Sequence, residues 1–215
     1  MRLLVIGAHP DDIESGCGGT IARRIAAGDE VIALYMTRGG LGIPDKPLEQ
    51  AQAIRTAESE AACRLLGATC LFADFVEHDI DTSPATTRAF IERIQSLQPD
   101  VVLAHWPLDT HIDHQLTGVM ALRAFLDKSS RFQLYFFEVL SGRQTMHFFP
   151  THHVDITAFR ALKKAATFEH HSQHPENWYP HHDLMESFRG AECGVQAAEA
   201  FIKAGTSLPD PLSSW

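Results

Sequence analysis

The sequence of 215 residues has few cysteines, no cluster of positive charge and no long apolar run. Its four cysteines form no CxxC pair and are too few for a secreted scaffold stabilised by disulfides. The net charge is −9 without any run of lysines or arginines, which argues against nucleic acid as a partner. No apolar run approaches the length of a membrane span, and the N-terminus lacks the features of a signal peptide. We therefore expect a cytoplasmic protein that binds neither nucleic acid nor membranes.

Short apolar segments alternate with segments that have the pattern of helices, over a length that fits one domain, residues 1–215. This alternation predicts an α/β protein with a three-layer, Rossmann-like fold, in which helices flank a mostly parallel β-sheet. Strands are predicted at 3–6, 31–36, 69–73, 99–106 and within 131–140, and helices at 17–28, 48–66, 84–97, 112–126, near 157–170 and at 184–203.

The first predicted strand runs into a polar loop within the segment LLVIGAHPDDIESGCGGT, residues 3–20. In an open α/β sheet, ligands usually bind at the carboxyl ends of strands, where His9, Asp11 and Asp12 stand. The loop alone has two interpretations: a cation site, or a strand-to-helix turn in which Pro10 sets the bend and an aspartate caps backbone amides. A dinucleotide site is disfavoured, because GCGGTI lacks the last Gly or Ala of GxGxxG and the carboxylates would repel a pyrophosphate.

A second polar cluster, DTHIDH at 109–114, follows the fourth predicted strand. His111 and His114 would face the same way on the first turn of a helix. A capped helix with exposed histidines would explain this cluster if it stood alone. Two such clusters at the carboxyl ends of two strands would instead meet over one crevice, if those strands are neighbours in the sheet.

Together, the two clusters contain the residue types of a catalytic zinc site. Such sites use three protein ligands drawn from His, Asp, Glu and Cys and leave a position for water. His9, Asp12 and His114 could be these ligands. Asp11 and His111 would then lie nearby without binding the metal, available to move protons during hydrolysis.

The motif AHPDDIESGCGGTIAR, together with HIDH, resembles the PIG-L/LmbE-type family of zinc-dependent N-acetylglucosamine deacetylases. The resemblance runs along most of the chain, with weaker matches at TRG (37–39), R..E...A...LG (55–67), QPDVVL (98–103), VDIT (154–157) and K..A...H.SQ (163–173). It implies an enzyme that removes the acetyl group from an N-acetylglucosamine-type sugar or conjugate, giving acetate and a free amine. It also implies Zn²⁺ as cofactor, although another divalent cation could serve.

The resemblance assigns roles to particular residues. His9, Asp12 and His114 would bind zinc, Asp11 would be the general base, and His111 the general acid or the stabiliser of the tetrahedral intermediate.

Four further residues would support these groups. Asp109 and Asp113 would be carboxylates that orient the metal-bound histidines. Arg38 and Arg55 would bind the substrate. For Arg55, an ion pair with Glu58 on the helix surface is the alternative.

Two departures from the family pattern leave the substrate open. Many relatives have a glutamate at the position of Gly40 and a tyrosine at that of Ala197. An N-deacylase or amidase acting on a non-sugar amide is therefore one alternative, and a non-catalytic module that binds a sugar or nucleotide is another. In the His-rich segment 170–183, Trp178 could stack on a sugar or belong to a buried helix connection. The partner is expected to be a small acetylated amino sugar, and a homo-oligomer is compatible with the family.

Overall fold

The computed structural model describes residues 1–205 and contains one mixed sheet with the strand order β3-β2-β1-β4-β5-β7-β6. Neighbouring strands from β3 through to β5 are parallel, whereas β7 is antiparallel to both β5 and β6. The predicted α/β fold with a mostly parallel sheet is thus confirmed. The strands are β1 (Arg2–Gly7), β2 (Glu30–Tyr35), β3 (Thr69–Phe72), β4 (Val101–His105), β5 (Gln133–Phe137), β6 (His152–Asp155) and β7 (Ala198–Lys203).

Helices cover both faces of the sheet because the central strands are apolar on both sides. In β1, Leu3 and Val5 pack into one core with α1 and α2, while Leu4 and Ile6 pack into another with α3 and α4. None of the helices within residues 1–205 is long and apolar enough to cross a bilayer. The helices are α1 (Asp12–Ala26), α2 (Leu48–Leu66), α3 (Pro84–Leu97), α4 (Ile112–Leu126), α5 (Arg160–Phe168) and α6 (Tyr179–Cys193).

Helix α1 begins at Asp12, several residues before the predicted start at 17, and therefore contains the glycines of the first motif. These glycines permit close packing. A Cβ atom at Gly16 would lie 2.7 Å from the Phe137 ring, and one at Gly18 would lie 2.9 Å from Lys163 Cγ. The glycines thus bring α1 against β5 and α5, and this places Asp12 at the edge of the sheet.

The predicted helix at 184–203 is wrong in its second half. Helix α6 ends at Cys193, because Gly194 adopts the left-handed conformation that terminates helices, and 198–203 forms β7. The alanine-rich sequence AEAFIK favours a helix by local propensity. Tertiary contacts decide otherwise, since Glu199 accepts hydrogen bonds from the backbone N–H groups of Gly19 and Thr20 in α1.

Strand β6 was not predicted either. That residues 1–215 form a single domain stays a prediction, and 206–215 lie outside the described residues.

Candidate active site

The two polar loops meet because β1 and β4 are adjacent and parallel, with Ile6 aligned to Ala104. The loop after β1 carries His9 and Asp11 and leads into α1. The loop after β4 leads into α4, which begins at Ile112. Both loops therefore lie at the carboxyl edge of the sheet, as the sequence predicts.

Three buried side chains converge there. His9 Nδ1 lies 3.3 Å from Asp12 Oδ2, and His114 Nε2 lies 3.3 Å from Asp12 Oδ1. Asp12 is held in place by the backbone N–H of His9, which donates to Oδ2 at 2.7 Å. Each carboxylate oxygen of Asp12 thus faces one imidazole nitrogen. Among the described residues, three sets have donor atoms that all lie within 4.8 Å of one another and could hold a metal ion: Asp12, His105 and His114; His9, His111 and His114; and His78, His111 and Asp113.

The outer nitrogen of each imidazole also faces a carboxylate. His9 Nε2 lies 3.0 Å from Asp113 Oδ2, and His114 Nδ1 lies 3.3 Å from Asp109 Oδ1. Metal-binding histidines commonly donate their second N–H to such a carboxylate, which fixes the tautomer and the ring orientation. The inner nitrogens are thereby left with lone pairs pointing toward Asp12, so this donor set fits a divalent metal ion.

The electrostatics of this cluster favour positive charge. Burial disfavours protonation of both imidazoles, yet the neighbouring aspartates outweigh it and raise the pKa of His9 to about 9 and that of His114 to about 10. Although burial acts in the opposite direction, the surrounding histidines hold the pKa of Asp12 well below its usual range. The carboxylates that attract protons to these rings would equally attract a cation.

His105, the last residue of β4, is a member of the cluster that the sequence analysis did not single out. Its Nε2 accepts a hydrogen bond from the backbone N–H of Ala8 at 3.1 Å and lies 3.2 Å from Asp12 Oδ2. Its ring stacks on that of His114, with the centroids 4.0 Å apart. Burial lowers the pKa of His105 to about 4, so its imidazole is neutral. The ring packs against His114 and lies next to the carboxylate of Asp12. Its position at the carboxyl end of a strand was the available signal.

Asp11 precedes Asp12 in the chain and is held by Arg55. The backbone of Asp11 is in the left-handed region, with φ of 104°, a conformation uncommon for residues other than glycine. Arg55 Nη2 donates to Asp11 Oδ2 at 3.1 Å and to the Pro10 carbonyl, and Nη1 donates to the Gly39 carbonyl at 3.0 Å. Burial raises the pKa of Asp11 to about 6, against the opposing effect of Arg55.

The alternative surface ion pair between Arg55 and Glu58 is wrong. Arg55 is buried, and Glu58 instead accepts hydrogen bonds from the backbone N–H and hydroxyl of Ser172.

His111 caps the first turn of α4 next to His9 and His114. Its Nδ1 accepts a hydrogen bond from the backbone N–H of Asp113 at 3.2 Å, and its ring centroid lies 4.6 Å from that of His9. Burial and the neighbouring histidines lower its pKa. A neutral imidazole with Nδ1 as acceptor carries its proton on Nε2, so His111 can act as a hydrogen-bond donor.

These groups open into a cavity of about 270 Å³, which we call the polar cavity. Of its polar lining residues, sequence analysis did not single out Glu77 and Gln144, which lie in loops, and it quoted Gln173 only as part of the motif K..A...H.SQ, without a role in the site. The polar cavity is lined by His9, Asp11, Asp12, Gly42, Arg55, Glu77, His111, His114, Gln144 and Gln173.

Arg38 does not reach the polar cavity. Its guanidinium donates to Asp74 at 2.6 Å and to Thr56, and it lies over the Phe72 ring. The structure therefore gives no support to its predicted contact with substrate. Gly40, where many relatives have a glutamate, is packed so closely that a Cβ atom there would lie 2.6 Å from Leu48.

Comparison with known proteins gives a match to one family and several deacetylases. The model of the family described as PIG-L, GlcNAc-PI de-N-acetylase, matches residues 4–125, which include both polar clusters. Diacetylchitobiose deacetylase from Thermococcus kodakarensis is 28% identical over 216 residues, covering 92% of this chain and 81% of that protein. The structure of N,N'-diacetylchitobiose deacetylase from Pyrococcus horikoshii has a TM-score of 0.84 at 28% identity, covering 94% of this chain and 83% of that one.

A further structure of equal TM-score shows that this fold also carries a different reaction. GalB from Pseudomonas putida KT2440, a 4-carboxy-2-hydroxymuconate hydratase, has a TM-score of 0.84 at 21% identity, covering 98% of this chain and 99% of that one. The shared fold therefore does not determine the reaction, which has to be argued from the site.

Proposed function

The chain belongs to the PIG-L family of de-N-acetylases, and from that premise we propose that it is a metal-dependent N-deacetylase acting on an N-acetylglucosamine-type sugar or conjugate. The proposal rests on the arrangement of five polar side chains at the carboxyl edge of the sheet. Asp12 faces one nitrogen of His9 and one of His114, while Asp11 and His111 line the same cavity beside them.

We propose Zn²⁺ as the cation, held by His9, Asp12 and His114, because two imidazoles and one carboxylate with an open position are a donor set of catalytic zinc sites. When bound, such a cation supplies a Lewis acid that acidifies water and polarises the amide carbonyl. Asp113 and Asp109 keep the rings of His9 and His114 in the tautomer that this requires.

Asp11 is the general base. Its carboxylate takes a proton from the attacking water, whose oxygen adds to the carbonyl carbon of the N-acetyl group. Arg55 holds that carboxylate and the adjoining Pro10 carbonyl, so the orientation of the Asp11 carboxylate toward the attacking water is fixed. The carbon–nitrogen bond then breaks, and the proton passes to the leaving nitrogen, which departs as the free amine while acetate remains.

His111 stabilises the intermediate. Its Nε2–H can donate to the negatively charged oxygen that forms when water adds to the carbonyl, because its Nδ1 is already occupied as an acceptor. The same N–H can also supply a proton to the leaving nitrogen. Both roles place the reacting carbonyl between Asp11 and His111.

The polar cavity supports a sugar as the group on the nitrogen side of the amide. Glu77 accepts from the backbone N–H of Leu41 at 2.9 Å, and this carboxylate lies on the side of the cavity near Gly40, where many relatives have a glutamate. Gln144 and Gln173 add amide groups that can donate and accept. Such a lining suits the hydroxyl groups of a small acetylated amino sugar.

We also propose a cytoplasmic location, supported by the four cysteines, which are all free. A homo-oligomer stays a prediction that sedimentation velocity would test.

The direct test is acetate release from a panel of N-acetylated sugars and non-sugar amides by zinc-loaded protein. We expect release from the sugars. Asp11→Asn should retain stoichiometric zinc while kcat falls about 10²- to 10⁴-fold, whereas His114→Ala should lose the metal. Asp45→Asn, in an exposed loop, is the control. Near-normal kcat in Asp11→Asn would sink the assignment of the base. Release from non-sugar amides alone would contradict the sugar assignment.

A further inference from the structure

Asp11 and Asp12 line a second cavity as well as the polar cavity. This second cavity, which we call the acyl cavity, has a volume of about 250 Å³. Besides the two carboxylates it is lined by Ser15, Val139, Leu140, Trp178 and His182. The two aspartates are therefore shared by one cavity rich in hydrogen-bonding groups and another whose other lining residues include Val139, Leu140 and Trp178.

We propose that the acyl cavity binds the acyl group of the substrate and accepts acyl chains longer than acetyl, so that the protein is a broader N-deacylase of amino sugars. This inference rests on the proposed function. An amide has an acyl side and a nitrogen side, and its reacting carbon has to lie at Asp11 and Asp12. If the sugar occupies the polar cavity, the acyl group can occupy the other cavity that these carboxylates line.

The acyl cavity is larger than acetyl requires. The methyl group of acetyl is comparable in size to a water molecule, whose share of liquid volume is about 30 Å³, against the 250 Å³ of the cavity. Several methylene groups would therefore fit beyond the methyl position.

The lining chemistry also suits a hydrocarbon chain. Val139 and Leu140 follow β5, and the Trp178 ring is held by a hydrogen bond from Nε1 to the Gln173 carbonyl. His182 is fully buried and its pKa is lowered by burial to about 3, so its imidazole carries no charge at neutral pH. Apart from the two catalytic carboxylates, no charged group lines the cavity among the residues that the structure describes.

Leu140 is shared with a second space, a groove of about 490 Å³. The groove is lined by the apolar side chains of Leu184, Met185 and Phe188 and by Arg143, His181 and Arg189. Leu184 is 70% exposed and Phe188 is 58% exposed, so the outer end of the groove is open to solvent. A chain too long for the acyl cavity could thus pass Leu140 rather than meet a closed wall.

The test is a chain-length series of N-acyl glucosamines, from acetyl through butyryl to hexanoyl, with kcat/KM measured for the zinc-loaded protein. Each methylene buried in an apolar site contributes roughly four-fold, so kcat/KM should rise or hold from acetyl to hexanoyl. A hexanoyl value more than about 100-fold below the acetyl value would overturn this inference while leaving the deacetylase intact. Failure to hydrolyse any member would overturn the proposed function itself, and this inference with it.

Substitutions at Leu140 test whether the acyl cavity determines the preference for acyl chain length. Leu140→Trp should lower the ratio of hexanoyl to acetyl kcat/KM at least ten-fold by blocking the junction of the two spaces. Leu140→Ala should keep or raise that ratio, and it provides the measurement if the tryptophan variant does not fold. Leu126→Trp, the same change at the exposed end of α4, is the matched control and should leave the ratio unaltered. An unchanged ratio in Leu140→Trp would refute the acyl cavity as the binding site.

Discussion

We predict that Asp113 controls which nitrogen of His9 is available for a metal, and its replacement by asparagine tests this directly. Asp113 Oδ2 lies 3.0 Å from His9 Nε2, and the backbone N–H of His78 donates to both carboxylate oxygens. The aspartate can accept on both sides because a carboxylate has only acceptor atoms. This arrangement keeps the His9 proton on Nε2 and leaves Nδ1 free.

An asparagine cannot satisfy both neighbours. If its NH₂ group faces His9, the imidazole proton has to move to Nδ1, which is the nitrogen needed for the metal. If its carbonyl faces His9, the NH₂ group opposes the His78 N–H, and the negative charge that strengthens the imidazole as a ligand is lost. Substitutions of such outer carboxylates typically weaken metal binding 10- to 100-fold, or about 1.4–2.7 kcal/mol. We expect Asp113→Asn to fall in this range.

Competition with a chelator of known zinc affinity measures the effect without relying on catalysis. Asp45→Asn makes the same change in an exposed loop and should keep the wild-type affinity. Circular dichroism of the metal-free variant would show that the fold is retained. A zinc affinity within two-fold of wild type in Asp113→Asn would refute the claim that this carboxylate sets the tautomer of His9.

Two further substitutions probe groups that hold the site in place. Arg55→Ala should lower kcat more than it raises KM, because Arg55 holds the base Asp11; a rise in KM with unchanged kcat would show a substrate contact only. Lys163→Met should lower the free energy of unfolding by about 3–5 kcal/mol, because Glu199 loses the ammonium at 2.7 Å, whereas Glu186, 2.9 Å from the same ammonium, keeps Arg160 at 3.2 Å. Urea denaturation measures this loss, and Lys128→Met at an exposed position should cost less than about 0.5 kcal/mol.

The central fold and the convergence of the site follow from the sequence for physical reasons. Strands buried on both faces need continuous apolar runs, and these are visible in β1, β2 and β4 without knowledge of the partners. The loops at their carboxyl ends then meet wherever parallel neighbours are adjacent. The spacing of His111 and His114 on one helical turn completes the set of candidate ligands.

The features of the site that the sequence analysis missed depend on contacts between segments that are distant in the sequence. His105 resembles an ordinary strand residue until Asp12 and His114 are placed beside it. Glu77 and Gln144 enter the polar cavity from loops whose conformations no local pattern specifies. The alternative for Arg55 failed for the same reason, since a helix position alone does not tell whether the side chain faces solvent or the base.

The placement of β7 has a consequence for the order in which this chain can fold during synthesis. Strand β7 lies between β5 and β6 but follows all the other described elements in the chain. Until Ala198–Lys203 leaves the ribosome, β5 has an unpaired edge and β6 has no partner in the sheet. Open strand edges of this kind promote pairing with other chains. Domains in which strands distant in the sequence pair late are therefore prone to aggregate before folding is complete. A nascent chain stalled before residue 198 should therefore depend on chaperones, although the segments that carry both polar clusters have already been synthesised.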